Sequence, residues 1–204
     1  MGIDIYYQAM PEGCDLLERS RRDPEFGELL QFFDTLAVET DANIEQRRFE
    51  PVRREFVAAA RELLRKHPNL EKRHLDAGRR DWDKLHYLLS PGSRKEIFES
   101  DGDWPTLALF GTEIIHPQAL TTCGFPIRYS TPIQAKRYLE RLTSVSEAAL
   151  HLQWNPEVMR QAAVYKSNGD DQESFQPVLE SFHELIAFYE EAISHNEGVL
   201  IYKD

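Results

Sequence analysis

The sequence predicts a single α+β domain over residues 1–204, in which helices surround a small mixed or antiparallel sheet that contains both chain ends. Ile3, Ile5 and Tyr7 alternate with Asp4, Tyr6 and Gln8, which is the two-residue period of a half-buried strand. The apolar run 199–202 is typical of a second, central strand. Most other apolar residues recur at three- and four-residue steps, as in amphipathic helices. Since neither short strand is stable alone, we expect both in one sheet.

The first half of the chain carries helical periodicity in four segments. They are residues 14–20, residues 25–37, the stretch from Pro51 to the His67-Pro68 pair, and residues 81–89. The third helix ends at His67-Pro68 because proline disfavours a helical conformation at the residue before it. Residues 68–80 are polar and basic, and we predict a loop there.

Residues 94–130 are the least regular part, with short strand candidates at 107–110 and 127–129. Beyond them, Thr131-Pro132 and Asn155-Pro156 each place a capping side chain before proline, which marks the start of a helix. The clearest amphipathic helix comes last, and its apolar face is predicted to pack into the core. That face consists of Phe175, Val178, Leu179, Phe182, Leu185, Ile186, Tyr189 and Ile193.

Composition excludes several classes of protein. The chain has 24 Lys and Arg against 35 Asp and Glu, a net charge of −11. Because this charge repels nucleic-acid phosphates, we expect no nucleic-acid partner. No apolar run approaches the roughly 18 residues of a membrane span, and the amino terminus lacks the basic region of a signal peptide. We therefore expect a cytoplasmic protein without membrane contact. Its two cysteines are expected to be reduced, since they are too few for a disulfide scaffold.

Common catalytic and metal-binding motifs are missing from the sequence. His183-Glu184 lacks the second histidine four residues on that a zinc-protease helix requires. There is no CxxC pair, no GxSxG elbow, no GxGxxG turn and no phosphate loop of correct spacing. We therefore expect neither a metal nor a cofactor. An acid–base site built from residues scattered along the chain stays possible, because spacing does not reveal it.

Charge is distributed unevenly along the chain. Residues 168–197 contain eight acidic residues and no Lys or Arg, whereas residues 65–80 carry a net charge of +4. An acidic helix face steers a basic protein partner towards it, so a partner at the C-terminal helix is one interpretation. The alternative is that the acidic face is only solvated and that the basic stretch faces solvent or that helix.

Two positions attract attention as candidate site residues. On a helix, His86 shares a face with Trp82, Leu85 and Leu89, which predicts a buried imidazole. It is either a site histidine at a pocket edge or a core histidine bonded to a backbone carbonyl or to the Arg128–Tyr129 segment. Arg128 precedes a predicted helix start, where it either holds an anion or pairs with a carboxylate inside the fold. The full candidate pocket consists of Trp82, Asp83, His86, Glu113, Arg128 and Tyr165.

Five features, in the same order along the chain, resemble the YfbM-like family of bacterial proteins. They are the Met1-Gly2-Ile3 strand, the Trp82-x-x-Leu85-His86-Tyr87-Leu88-Leu89 helix, the Arg128-Tyr129-Ser130-Thr131-Pro132 helix start, Tyr165, and the closing helix with its Val199–Tyr202 strand. The resemblance covers nearly the whole chain and implies a small cytosolic α+β protein of unknown function, with no activity to transfer. Lys166-Ser167-Asn168 follows Tyr165 where the family commonly has Tyr-Pro, and residues 38–80 are longer and more charged than is typical.

Two functions fit the sequence. The missing catalytic motifs and the acidic helix favour a binding, interaction or regulatory protein, such as an immunity-like one. The alternative is an enzyme for a small anionic substrate, in which Arg128 binds the anion, His86 moves a proton and Trp82 walls the pocket. Tyr165 completes that pocket, and Asp83 or Glu113 is its carboxylate. A cleft lined by both His86 and Arg128 favours the enzyme.

Overall fold

One antiparallel sheet organises the parts of the chain that the computed structural model describes, which are residues 3–39, 51–76, 81–90, 102–165 and 174–204. Its strands are β1 (Ile5–Met10), β2 (His74–Asp76), β3 (Glu113–Ile114), β4 (Arg128–Ser130) and β5 (Gly198–Lys203). The spatial order is β2-β1-β5-β4-β3. The C-terminal strand β5 therefore pairs with β1 on one side and β4 on the other, which confirms that both terminal strands share one sheet.

Helices occupy most of the remaining described chain. They are α1 (Asp15–Ser20), α2 (Pro24–Glu28), α3 (Phe33–Ala37), α4 (Pro51–Lys66), α5 (Trp82–Leu89), α6 (Trp104–Phe110), α7 (Pro132–Thr143), α8 (Glu147–Gln153), α9 (Pro156–Gln161) and α10 (Gln176–Ser194). Short 3-10 turns lie at Leu29–Phe32 and Leu70–Lys72. In the described ranges, no helix combines the length and the apolar character that a membrane crossing needs.

The two faces of the sheet carry different layers, because successive side chains of a strand point to opposite sides. On one face, the Tyr7 hydroxyl of β1 donates to the Leu109 carbonyl of α6, and its ring lies 5.9 Å from that of Phe188 in α10. On the other face, Tyr6 stacks on Tyr202, and Gln8 donates to the Leu70 carbonyl. The functional candidates of α5 and α6 therefore lie on the side of the sheet that faces α10.

Helix α10 packs as its periodicity predicts. Val178, Phe182, Leu185 and Tyr189 are buried, and the Tyr189 hydroxyl donates to the Ala108 carbonyl at 2.6 Å. The opposite side of the helix exposes its glutamates, which are Glu180, Glu184, Glu190 and Glu191. The acidic residues predicted just before this helix, Asp170, Asp171 and Glu173, lie outside the described residues.

Three local predictions are wrong. Residues 107–110 belong to α6 and form no strand, because the Asp103 side chain caps that helix by accepting from the Thr106 amide, with Pro105 in its first turn. The predicted loop 68–80 contains β2, a short edge strand that exists through its pairing with β1. The predicted helix 25–37 is divided into α2, a 3-10 turn and α3.

A buried ion pair fixes the end of the sheet. The Arg73 guanidinium donates to both carboxylate oxygens of Glu197, from Nε at 2.8 Å and from Nη2 at 2.6 Å. Both side chains are almost fully buried. The pair joins the start of β2 to the turn between α10 and β5, and so connects residues 124 positions apart in the chain.

Candidate functional site

Helix α5 is buried on all sides and brings three of the predicted site residues into the interior. Trp82, Asp83 and His86 are each less than one tenth exposed. The Trp82 indole N–H donates to the Ile3 carbonyl at 2.9 Å, which fastens the helix to the residues just before β1. The prediction that His86 is buried is confirmed, since none of its surface is exposed.

Tyr165 joins the same cluster through Trp82 and Asp83. The rings of Tyr165 and Trp82 stack with centroids 5.8 Å apart and planes 21° apart. The Asp83 carboxylate accepts from the Tyr165 backbone N–H at 2.6 Å. The Asp83 carboxylate therefore holds the backbone at Tyr165 in place. Through this hydrogen bond and the ring stacking, Asp83 and Tyr165 position the Trp82 indole.

His86 starts a chain of hydrogen bonds that fixes its proton. Its Nε2 lies 2.8 Å from the Thr106 hydroxyl, and that hydroxyl donates to Asp103 at 2.7 Å. Because a hydroxyl has one hydrogen, His86 Nε2 must carry the proton that it shares with Thr106. The sequence predicted a backbone carbonyl or the Arg128–Tyr129 segment as the partner, and this is corrected to Thr106, which the unpredicted helix α6 places there. Ser90 also donates to Asp103.

Arg128 and Lys203 lie side by side on the face of the sheet that carries α6. Arg128 is opposite Ile201 in the β4–β5 register, and Lys203 follows two residues later, so both side chains project from the same face. They are 6 % and 7 % exposed. Arg128 Nη1 is 3.5 Å from the carbonyl oxygen of Gly111. Gly111 permits this approach, because a Cβ there would lie 2.7 Å from that of Arg128.

The buried surroundings of Arg128 and Lys203 disfavour the charged forms of both side chains. Burial lowers the pKa of the Arg128 guanidinium. Burial, and then the charge of Arg128, lower the pKa of the Lys203 amine to about 7 from its ordinary value of 10.5. The Lys203 Nζ lies 4.2 Å from the ring centroid of Phe110 and 5.7 Å from that of Phe125. An ammonium and its neutral amine are therefore both populated near neutral pH.

Phe110 connects these groups. The Trp82 ring meets it edge-on with centroids 5.7 Å apart, and the His86 ring lies 5.6 Å away. Lys203 is placed over the same ring, and Arg128 reaches the carbonyl of the next residue, Gly111. The structure therefore brings Trp82 and His86 to the Phe110 ring, and Arg128 to the backbone of the next residue.

Glu113 is separated from this group. It pairs with Tyr129 in the β3–β4 register and therefore projects from the face opposite to Arg128. Its side chain is 51 % exposed, with the Arg21 guanidinium 3.8 Å away. The structure thus does not support Glu113 as the carboxylate of this site.

Sequence reasoning missed Lys203. The two-residue period of the last strand could have pointed to it, since Val199, Ile201 and Lys203 occupy alternate positions and share one face. A lysine at the end of an apolar strand is ordinarily solvated, so the pattern alone does not predict its burial.

A depression lies at the end of the sheet away from Lys203. Its cavity volume is about 590 Å³, and its walls come from the β1–α1 connection, the end of α4 and the α10–β5 turn. Cys14, His67 and His195 line it. Burial raises the pKa of the Cys14 thiol, which keeps it protonated. Within the described ranges, no group of three or more His, Cys, Asp or Glu residues is arranged to hold a metal ion.

Comparison with known proteins gives a family and a fold. The model of a family described as a domain of unknown function, DUF1877, matches residues 1–202. The crystal structure of YfbM from Escherichia coli, a protein of unknown function, is similar with a TM-score of 0.54 and 14 % identity. The match covers 97 % of each chain. No curated protein matches the sequence significantly.

Proposed function

The chain belongs to the DUF1877 family of domains of unknown function, and we propose that it binds a small carboxylate anion between Arg128 and Lys203. One observation carries this proposal. Two cationic side chains are buried next to each other on one face of the sheet. Two neighbouring positive charges attract an anion more strongly than either does alone.

We propose a different role for each group. The planar guanidinium of Arg128 offers a fork of N–H donors that matches a carboxylate. Lys203 supplies a second donor from the adjacent strand, and the Phe110 and Phe125 rings border its amine. Diagonal neighbours on paired strands lie roughly 7–8 Å apart, within reach of long side chains such as those of Arg128 and Lys203.

His86 supports the site without moving a proton. Its Nε2–H is engaged by Thr106, which is itself held by Asp103. The imidazole therefore positions Phe110, whose ring it contacts, beside the two cations. For this reason the geometry favours binding of an anion over the acid–base reaction in which His86 transfers a proton.

Calorimetric titration with lactate, acetate and inorganic phosphate tests the proposal. We expect lactate or acetate to bind the wild-type protein, and Arg128→Met to raise its Kd by about tenfold or more, since a charge-assisted pair contributes about 1.5–3 kcal/mol. Arg137→Met is the matched control, because Arg137 is exposed on α7. Circular dichroism verifies that each variant is folded. Carboxylate binding that is absent, or equal in wild type and folded Arg128→Met, would refute the proposal.

A protein partner at the acidic side of α10 is a second candidate. The exposure of Glu180, Glu184, Glu190 and Glu191 supports it, since such a face attracts a basic surface. The test is retention of proteins from a cell extract by the wild-type chain and by a variant with all four glutamates changed to glutamine. We expect a basic protein that only the wild type retains, and whose measured affinity falls as salt rises. Equal retention by both chains contradicts this function.

A further inference from the structure

We propose that the depression between the β1–α1 connection, the end of α4 and the α10–β5 turn binds an alkyl polyamine, which is a chain of methylene groups carrying two or more ammonium groups. The cavity volume of about 590 Å³ is in the range of sites for small molecules. Neither Arg128 nor Lys203 lines the depression, so this inference is independent of the anion site proposed above.

The charged side chains around the depression favour a cation. Glu12 and Asp15 line it, and within the described ranges neither carboxylate is paired with a Lys, Arg or His side chain. The other two charged lining residues pair with each other, since the Lys66 ammonium lies 3.2 Å from the Glu62 carboxylate. The lining therefore keeps two uncompensated negative charges, which attract ammonium groups.

The helix ends add negative potential at the same place. Helix α4, of sixteen residues, and helix α10, of nineteen, both end at the depression, since His67 and His195 directly follow them and line it. The C-terminal end of a helix carries a partial negative charge, which stabilises a nearby cation. Helix α1 begins at the depression, but it has only six residues, and Asp15 and Glu18 in its first turn offset its positive end.

Imidazole and apolar side chains suit the rest of such a ligand. His67 Nδ1 lies 3.8 Å from the buried Glu197 carboxylate, which favours the ring proton on Nδ1 and leaves Nε2 as an acceptor for an ammonium N–H. Leu16, Ala59 and Leu63 also line the depression and offer apolar surface to methylene groups. An alkyl chain with ammonium groups matches both kinds of surface.

Calorimetric titration of the wild-type chain with spermidine at low salt tests this inference. The neutral probe is butane-1,4-diol, which has methylene groups but no charge, and we expect spermidine to bind and the diol not to bind. Glu12→Gln combined with Asp15→Asn should raise the Kd for spermidine by about fivefold, because each exposed ion pair contributes modestly. Glu25→Gln combined with Glu140→Gln removes the same charge from exposed positions outside the depression and should leave the Kd unchanged.

Amide chemical shifts of the wild-type chain locate the bound spermidine without any variant. Spermidine should shift the NMR signals of Gly13, Cys14, His67 and Asn196, which line the depression. Shifts confined to other parts of the chain, or no binding of spermidine at all, would overturn the inference. An equal Kd in the wild type and the folded double variant, or equal binding of butane-1,4-diol, also overturns it, because the carboxylates then play no part.

Discussion

Replacing Lys203 with methionine should change how the stability of the protein depends on pH. In the folded chain the pKa of Lys203 is lowered to about 7, whereas the unfolded chain has the ordinary value of 10.5. Between these values the unfolded chain holds a proton that the folded chain has released. The free energy of unfolding therefore rises with pH through this window, and the penalty of the buried charge is complete below about pH 7. Methionine has a similar length and no charge, so it removes this titration.

The expected effect is large enough to measure. Each unit of pKa difference corresponds to 1.36 kcal/mol, and the folded pKa of about 7 lies inside an accessible range. Integrating the proton difference from about pH 6 to about pH 9 gives an increase of about 2–3 kcal/mol in wild-type stability relative to Lys203→Met. The contributions of most other titrating groups to the free energy of unfolding cancel in this comparison, because both chains contain them.

Urea denaturation of the two chains at several pH values measures this difference directly. Lys136→Met is the matched control, and its stability should follow that of the wild type at every pH, since Lys136 is exposed. A stability difference between wild type and Lys203→Met that stays constant from pH 6 to pH 9 would refute the argument. Lys203 would then keep an ordinary pKa, and its amine would be charged at neutral pH.

Four further changes test the packing that supports the site, each by chemical or thermal denaturation. Phe182→Ala should lower the free energy of unfolding by about 3–5 kcal/mol through lost burial and the cavity left, and a loss below about 1 kcal/mol would mean that α10 does not pack as described. His86→Ala should cost about 1–3 kcal/mol, because it leaves the Thr106 hydroxyl with a vacant acceptor and opens a void; unchanged stability with lost lactate binding would instead show direct contact with the ligand. Glu197→Gln should destabilise by about 3–5 kcal/mol, since the buried Arg73 loses its counter-charge, and a neutral result would show that water solvates that guanidinium. Deleting residues 199–204 removes most of the central strand and should abolish cooperative unfolding, so a truncated chain with wild-type Tm contradicts the sheet order.

The parts of the fold that the sequence predicted are those with a long or regular pattern. Strand β1 alternates, β5 is a continuous apolar run, and the apolar residues of α10 keep helical spacing over nineteen residues. The edge strands β2 and β3 were missed because they have three and two residues and depend on tertiary pairing. The segment 107–110 was assigned wrongly because its apolar side chains fit a strand, while the capping Asp103 that decides for a helix was not recognised.

In the site too, contacts within one helix could be predicted from the sequence, whereas contacts between distant segments could not. That Trp82 and His86 are neighbours could be predicted because they lie one turn apart on one helix. The Thr106–Asp103 support of His86 and the position of Lys203 next to Arg128 were not predicted, since both depend on how the sheet and α6 meet. Glu113 was included for its charge, and a one-residue alternation in a short strand places it on the other face.

The most direct test of the anion site is a crystal structure of the protein soaked with lactate. The anion site predicts a carboxylate with an oxygen about 3 Å from a guanidinium nitrogen of Arg128, with the Lys203 amine on its other side. Lactate held by Arg128 should be absent from crystals of Arg128→Met grown under the same conditions, whereas an adventitious anion should persist there. Lactate bound elsewhere, or an Arg128–Lys203 pair that excludes lactate at saturating concentration, would contradict the proposed function.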